Sequence, residues 1–245
     1  MSRTFLSVNV NKYALVRNSR GHNAPDLLWS VATALEAGAH GITVHPRRDQ
    51  RHVRFDDVPA VRDFLRAKYP GVEFNIEFEN SPELVELVLA NAPEQATLVP
   101  VDDGEVTSSH GWDLARHGAA LEPTVRRLKD AGIRVSLFMD PVASLMQGAA
   151  DIGADRVELY TGPYAWAWGT PEQEAQTAAL WEAGAAAVAA GMTLNAGHDL
   201  DSDNLAGVVG MPGLKEVSIG HAQIVRALEV GTTQSVTELL RALGW

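Results

Sequence analysis

The sequence predicts a closed (β/α)8 barrel of the TIM type, forming one domain over residues 1–245. Three observations carry this prediction. A short apolar run recurs eight times, at an average spacing of about 31 residues. Helix-like stretches rich in Ala, Leu, Glu and Arg separate the runs. No linker, low-complexity tract or shift in composition divides the 245 residues. Alternating strand and helix with mostly apolar strands implies a parallel sheet covered on both faces. Eight such units in about 250 residues fit a closed barrel. The rival, an open doubly wound sheet, usually carries a Gly-rich phosphate turn after its first strand, and none is present.

Taken in order, FLSVNVN (5–11) is the first strand, and a helix is expected over 26–37. HGITVH (40–45) is followed by a helix at 57–68, and VEFNIEF (72–78) by one at 81–91. QATLVPV (95–101) precedes a helix at 115–131, and IRVSLFMD (133–140) one at 142–152. RVELYTG (156–162) leads to a helix at 172–190. MTLNAGH (192–198) and KEVSIGH (215–221) are the last two strands, with a helix over 222–243. The joints support these assignments. Gly38, Gly132, Gly153 and Gly191 follow helical runs, where glycine supplies the left-handed residue that ends a helix. Ser81-Pro82-Glu83 and Thr170-Pro171-Glu172 pair a capping hydroxyl with proline at the first helical position.

Composition narrows the function. Apolar residues make up 46%, enough for a large core. There is no cysteine, which excludes disulfides, thiolate zinc sites, iron–sulfur clusters and a cysteine nucleophile. No run of about 18 apolar residues exists, so no membrane helix is expected. The first residues lack an apolar signal-peptide segment, so a cytoplasmic location is expected. The net charge of −11 is uneven. Residues 1–54 hold eight Lys/Arg against three acids, leaving 12 basic and 28 acidic residues in the remainder. An acidic body argues against nucleic-acid partners, whereas a local arginine concentration suits a small anionic ligand or a solvated basic face.

Barrel chemistry gathers at the C-terminal ends of the strands. There the sequence places Asn9 and Asn11, then His45 with Arg47 beyond, Glu77 with Glu79, Asp140, Glu158 and Tyr160, Asn195 and His198, and Gly220 and His221. Three of the eight histidines end a predicted strand. In the third strand Phe74, Ile76 and Phe78 share one face, while Asn75 and Glu77 share the other. A carboxylate inside an apolar strand is costly to bury unless paired or functional. Each of these residues also has a bland reading as a hydrogen-bonded structural group, and His22, His40, His110 and His117 are read that way. Gly197 and Gly220 let backbone approach a phosphate at the last two loops, the usual phosphate site of such barrels. Arg17 and Arg20, after the neighbouring first strand, strengthen a phosphate reading. The polar segment 102–112 is a candidate lid, and the aromatic segment 162–169 a rim-covering loop.

These residues resemble a known family. Asn9-Val10-Asn11, RNSRG (17–21), GITVHPRRDQRHV (41–53), NIE (75–77), LVP (98–100) with Glu105-Val106-Thr107, SLFMD (136–140), NAGH (195–198) and IGHA (219–222) look like pyridoxine 5′-phosphate synthase, in order and from end to end. The resemblance implies a barrel assembled as a homo-octamer. It also implies condensation of 3-amino-2-oxopropyl phosphate with 1-deoxy-D-xylulose 5-phosphate to pyridoxine 5′-phosphate, phosphate and water. No metal or redox cofactor is implied. By the same resemblance His45 and Glu77 are bases, His198 is a proton donor and Glu158 a transition-state stabiliser. Asn9, Arg20, Asp199, Gly220 and His221 would hold the aminoketone phosphate. Arg47, His52 and Thr107 would hold the pentulose phosphate. Two departures stand out: Asn11-Lys12 replaces the family's usual Asp-His, and Asp199 replaces a glycine. Lys12 could offset Asp199 across the barrel mouth. Competing readings are a metal-dependent barrel hydrolase or aldolase, and a phosphate-binding relative without turnover.

Overall fold

The structure, a computed structural model, describes residues 3–102 and 107–245. Eight parallel strands close into a barrel in chain order: β1 (Phe5–Asn9), β2 (Gly41–Val44), β3 (Glu73–Phe78), β4 (Gln95–Leu98), β5 (Arg134–Met139), β6 (Arg156–Tyr160), β7 (Thr193–Gly197) and β8 (Leu214–Ile219). Pairing of Phe5 with Glu216 and Ser7 with Ser218 joins the last strand to the first. Outside the strands lie α1 (Asn11–Asn18), α2 (Leu27–Glu36), α3 (Asp57–Lys68), α4 (Pro82–Asn91), α5 (Leu114–Asp130), α6 (Met146–Asp151), α7 (Gly162–Ala167), α8 (Gln173–Ala189), α9 (His221–Val230) and α10 (Thr232–Ala242).

The four glycines expected to end helices all have positive φ, at 106°, 78°, 93° and 87°. Ser81 precedes α4 in extended backbone with Pro82 at its first turn, although its hydroxyl makes no capping bond. The Thr170 hydroxyl accepts the Glu172 N–H at 3.3 Å, but α8 begins only at Gln173. Other expectations are corrected. The first strand stops at Asn9, and residues 11–18 form a helix. The eighth stops at Ile219, and His221 opens α9. The helix expected over 222–243 is two helices, because Gly231 at φ +85° ends the first. Part of the aromatic segment after β6 is the short helix α7, with proline in its first turn.

The strands alternate more sharply than a sheet buried by apolar residues on both faces. Leu6, Val8, Ile42, Val44, Ile76 and Phe78 are fully buried in the core shared with the helices. Between them Ser7, Thr43 and Asn75 are polar and face the lumen, where they hydrogen-bond to one another. Ser7 and Thr43 share a 2.7 Å hydrogen bond, and the Thr97 hydroxyl donates to the Asn75 amide oxygen at 3.0 Å. Lower in the lumen Arg156 donates to Gln95 (2.9 Å) and Asn195 (3.1 Å). Arg134 pairs with Glu73 at 2.5 Å. At the rim opposite the strand ends, the Trp245 indole N–H donates to the Thr4 carbonyl at 2.8 Å, and its ring stacks on Phe5.

Candidate active site

At the C-terminal ends of the strands a cavity of about 460 Å³ opens. It gathers side chains scattered over more than two hundred positions of sequence. His45 just after β2, Glu77 on β3, Glu158 on β6 and His198 just after β7 all line it, as do Asn9, Arg47, His52, Thr107, Asp199, Gly220 and His221. Arg20 does not: it stands exposed, outside the lining. Of the candidate lid over 102–112, residues 103–106 lie outside the described residues, and with them Glu105 and Val106. The far end of that segment is anchored, because the Gly111 N–H donates to Asp140 (2.9 Å) and the Trp112 indole to the Leu98 carbonyl (2.9 Å). Asp140 is thus a structural acceptor.

His45 and Glu77 are both buried, with His45 Nδ1 3.4 Å from Glu77 Oε2. Burial pushes the His45 imidazole down to about 3, so it is neutral at pH 7. Burial raises Glu77, against the opposing pull of His198 and Arg47 and the bond from Asn9. With its Nδ1 edge toward the carboxylate, His45 has a buried Nε2 with no hydrogen-bond partner among the described residues. An imidazole nitrogen so placed is equipped to accept a proton.

The end of β1 and the first residue of α1 hold this pair in place. Asn9 Nδ2 donates to Glu77 Oε2 at 3.4 Å, and Asn9 Oδ1 accepts the Asn11 N–H at 3.0 Å. Asn11 Oδ1 accepts the His45 backbone N–H at 2.8 Å. An aspartate oxygen would accept the same bond, so the departure at position 11 preserves this contact. Reasoning from sequence missed it, because residue 11 was placed in a strand.

Glu158 is 1% exposed, and its Oε2 has no partner among the described residues. Burial, with the charges of Glu77 and Glu216 nearby, raises it well above the carboxylate range. The same surroundings favour its protonated form, in which a carboxyl can donate. Gly197, paired with Tyr160 on the neighbouring strand, makes room for it: a Cβ there would collide with Glu158 Oε1. Burial lowers His198, partly offset by Glu77 and Asp199. Its ring stands 4.7 Å from Phe138 and 5.5 Å from Tyr160.

Groups suited to an anion flank these titratable side chains. On one side are Arg47, whose Nη2 reaches Ser108 at 3.4 Å, and His52. On the other, α9 begins directly after Gly220, presenting helix N–H groups at the cavity. Gly220 packs so closely on Asn9 that a Cβ would lie 3.0 Å from the Asn9 backbone oxygen. Arg17, read from sequence as a phosphate group, is instead buried against Asp57 at 2.7 Å. Asp199 takes φ +58°, which accounts for a glycine at that position in the resembling family. Its carboxylate accepts the Trp166 indole N–H at 2.9 Å and makes no ion pair with Lys12. Among the described residues no three His, Asp or Glu side chains are grouped to hold a metal ion. No helix among them is long and apolar enough to cross a membrane.

Comparison with known proteins agrees with this architecture. Two solved barrels, the tryptophan synthase A-subunit of Pyrococcus furiosus and phosphoribosyl anthranilate isomerase of Thermus thermophilus, are each 13% identical. They superpose with TM-scores of 0.62 and 0.61, each comparison covering 98% of both chains, and show the shared fold. Pyridoxine 5′-phosphate synthase of Xanthomonas campestris pv. campestris strain B100 is 49% identical, covering 97% of this chain and 95% of that protein. The protein of the same name from Mesorhizobium japonicum is 46% identical, covering 98% of each. Residues 6–244 match the family described as pyridoxal phosphate biosynthesis protein PdxJ. With identity of this depth over nearly its whole length, the chain belongs to the PdxJ family.

Proposed function

We propose that the chain is a pyridoxine 5′-phosphate synthase, condensing 3-amino-2-oxopropyl phosphate with 1-deoxy-D-xylulose 5-phosphate. The observation that carries this reading is one cavity with four acid–base side chains between two anion-binding borders. Such a condensation needs an amine freed of its proton, an enolising base, and donors for the hydroxyl and phosphate that leave. Neutral His45 beside Glu77 supplies the bases. His198 is the proton donor, and the arrival of an anionic substrate favours its protonated form. Glu158 stabilises negative charge as a buried carboxyl whose surroundings favour its protonated, donating form.

Gly220, His221 and the start of α9 hold one phosphate, with Asn9 and Asp199 beside them. Arg47, His52 and Thr107 hold the other. The acidic body supports small phosphorylated substrates rather than nucleic acid. Assembly as a homo-octamer in the cytoplasm belongs to the same reading. The test is direct: purified protein with both phosphates yields pyridoxine 5′-phosphate and inorganic phosphate, measured by mass spectrometry. His198→Ala folds normally and gives no product. A folded wild-type sample without product at high enzyme concentration overturns the reading.

A further inference from the structure

Two side chains at the end of α1 turn away from the cavity and grip the loop that borders it. Arg17, 4% exposed, makes a forked pair with Asp57 at the start of α3: Nη1 to Oδ1 at 2.7 Å and Nη2 to Oδ2 at 2.8 Å. Arg17 Nε donates to Asn18 Oδ1 at 3.1 Å. Asn18 Nδ2 in turn donates to the carbonyls of Arg51 (3.1 Å) and His52 (2.7 Å). Arg17 Nη2 also reaches the His52 carbonyl at 3.4 Å, and Asp57 Oδ2 accepts the Arg54 N–H at 2.7 Å. The backbone of residues 51–54 is thus held from three sides, although it lies in no helix or strand.

This grip fixes a side chain of the site. The Val53 N–H donates to His52 Nδ1 at 2.9 Å. In a neutral imidazole that bond places the proton on Nε2, the edge away from the backbone. His52 lines the cavity with Arg47 and Arg51, whereas Arg17, Asn18 and Asp57 do not. We infer that Arg17, Asn18 and Asp57 are positioning residues: they preset the 47–52 loop so that His52 presents an N–H to a substrate phosphate that they themselves never touch. The inference rests on the proposed function for its substrate and on these bonds for its geometry. Holding the loop in advance removes an ordering cost that substrate would otherwise bear on binding.

The experiment measures KM for each substrate separately, together with kcat, in Asn18→Ala and Arg17→Lys. Asn18→Ala removes the bonds to the loop without stranding a buried charge. Arg17→Lys keeps the charge but loses the fork. Both should raise KM for one substrate about tenfold while kcat and the other KM stay within about twofold. Wild-type constants in either variant, or equal losses in both KM values and kcat, overturn the inference. Thermal stabilisation by inorganic phosphate gives a second readout that needs no turnover. The wild type should gain more than Asn18→Ala at the same phosphate concentration, and equal gains overturn the clamp. If the wild type makes no product yet the phosphate shifts differ in this way, the assigned reaction fails and the clamp stands.

Discussion

Gly197→Ala is the sharpest probe of how the strands shape the site. Its backbone leaves no room for a methyl group, because Glu158 Oε1 occupies that space. Glu158 Cδ and the Ser218 carbonyl lie 3.3 Å from the added carbon. The carbonyl belongs to strand backbone and cannot yield. The carboxyl must therefore move, in surroundings where the charges of Glu77 and Glu216 already disfavour its ionisation. Overpacking of this kind costs about 1–3 kcal/mol. For a chain of this size that lowers Tm by about 2–12 °C. A catalytic group displaced by about 1 Å costs on the order of 10²-fold in rate. Thermal unfolding followed by circular dichroism, with kcat from product formation, checks both figures. A variant with wild-type Tm and wild-type kcat would refute the claim that Gly197 exists to seat Glu158.

A matched control is Gly118→Ala in the interior of α5, where the nearest atom to the new carbon is 3.8 Å away. It should stabilise by about 0.5–1 kcal/mol, read from urea unfolding, with unchanged activity. Glu77→Gln keeps the shape and removes the base. It should lower kcat on the order of 10²-fold, and a wild-type rate would rule out the assigned role. Stability should fall on acidification. His45 and His52 both sit at about 3 in the fold, against 6.5 when unfolded, so the unfolded chain binds protons that the fold refuses. The loss begins as pH drops below about 6.5 and continues to about 3, at up to about 1.4 kcal/mol per unit for each histidine. Glu216, pushed up to about 8 by burial, opposes it, because its folded form is favoured as pH falls from about 8 toward 4.5. Urea titrations at pH 7 and 5 should therefore show His52→Gln losing less stability than the wild type. Asp199→Gly removes an L-residue from left-handed backbone and should cost no stability despite losing the Trp166 bond, since that bond is exposed. A fall in Tm of several degrees would show that the indole contact outweighs the backbone.

The barrel was legible because its unit repeats: eight apolar runs and four helix-ending glycines fall where the structure has them. The strand ends were not. Asn11 and His221 follow apolar runs without a break in pattern, yet each begins a helix, and periodicity over so few residues does not separate the two. The polar lumen was visible in the alternation of Ser7, Asn9, Asn75 and Glu77, but a strand read as mostly apolar hides it. Cavity-lining residues at strand ends could be picked because barrel topology dictates where they converge. The partner of Arg17 could not, since Asp57 is forty positions away and only the packing of α1 against the 51–54 loop brings them together. A lone arginine beside a glycine-rich loop looks the same in sequence whether it binds phosphate or braces a turn.

The contact of Trp245 with Thr4 also settles where this ring of units can be handled. It fastens Trp245 to the lead-in of β1, so the segment after α10 and the start of β1 lie side by side on the side away from the cavity. A surface tether attached beside Trp245 leaves the mouth of the cavity unobstructed.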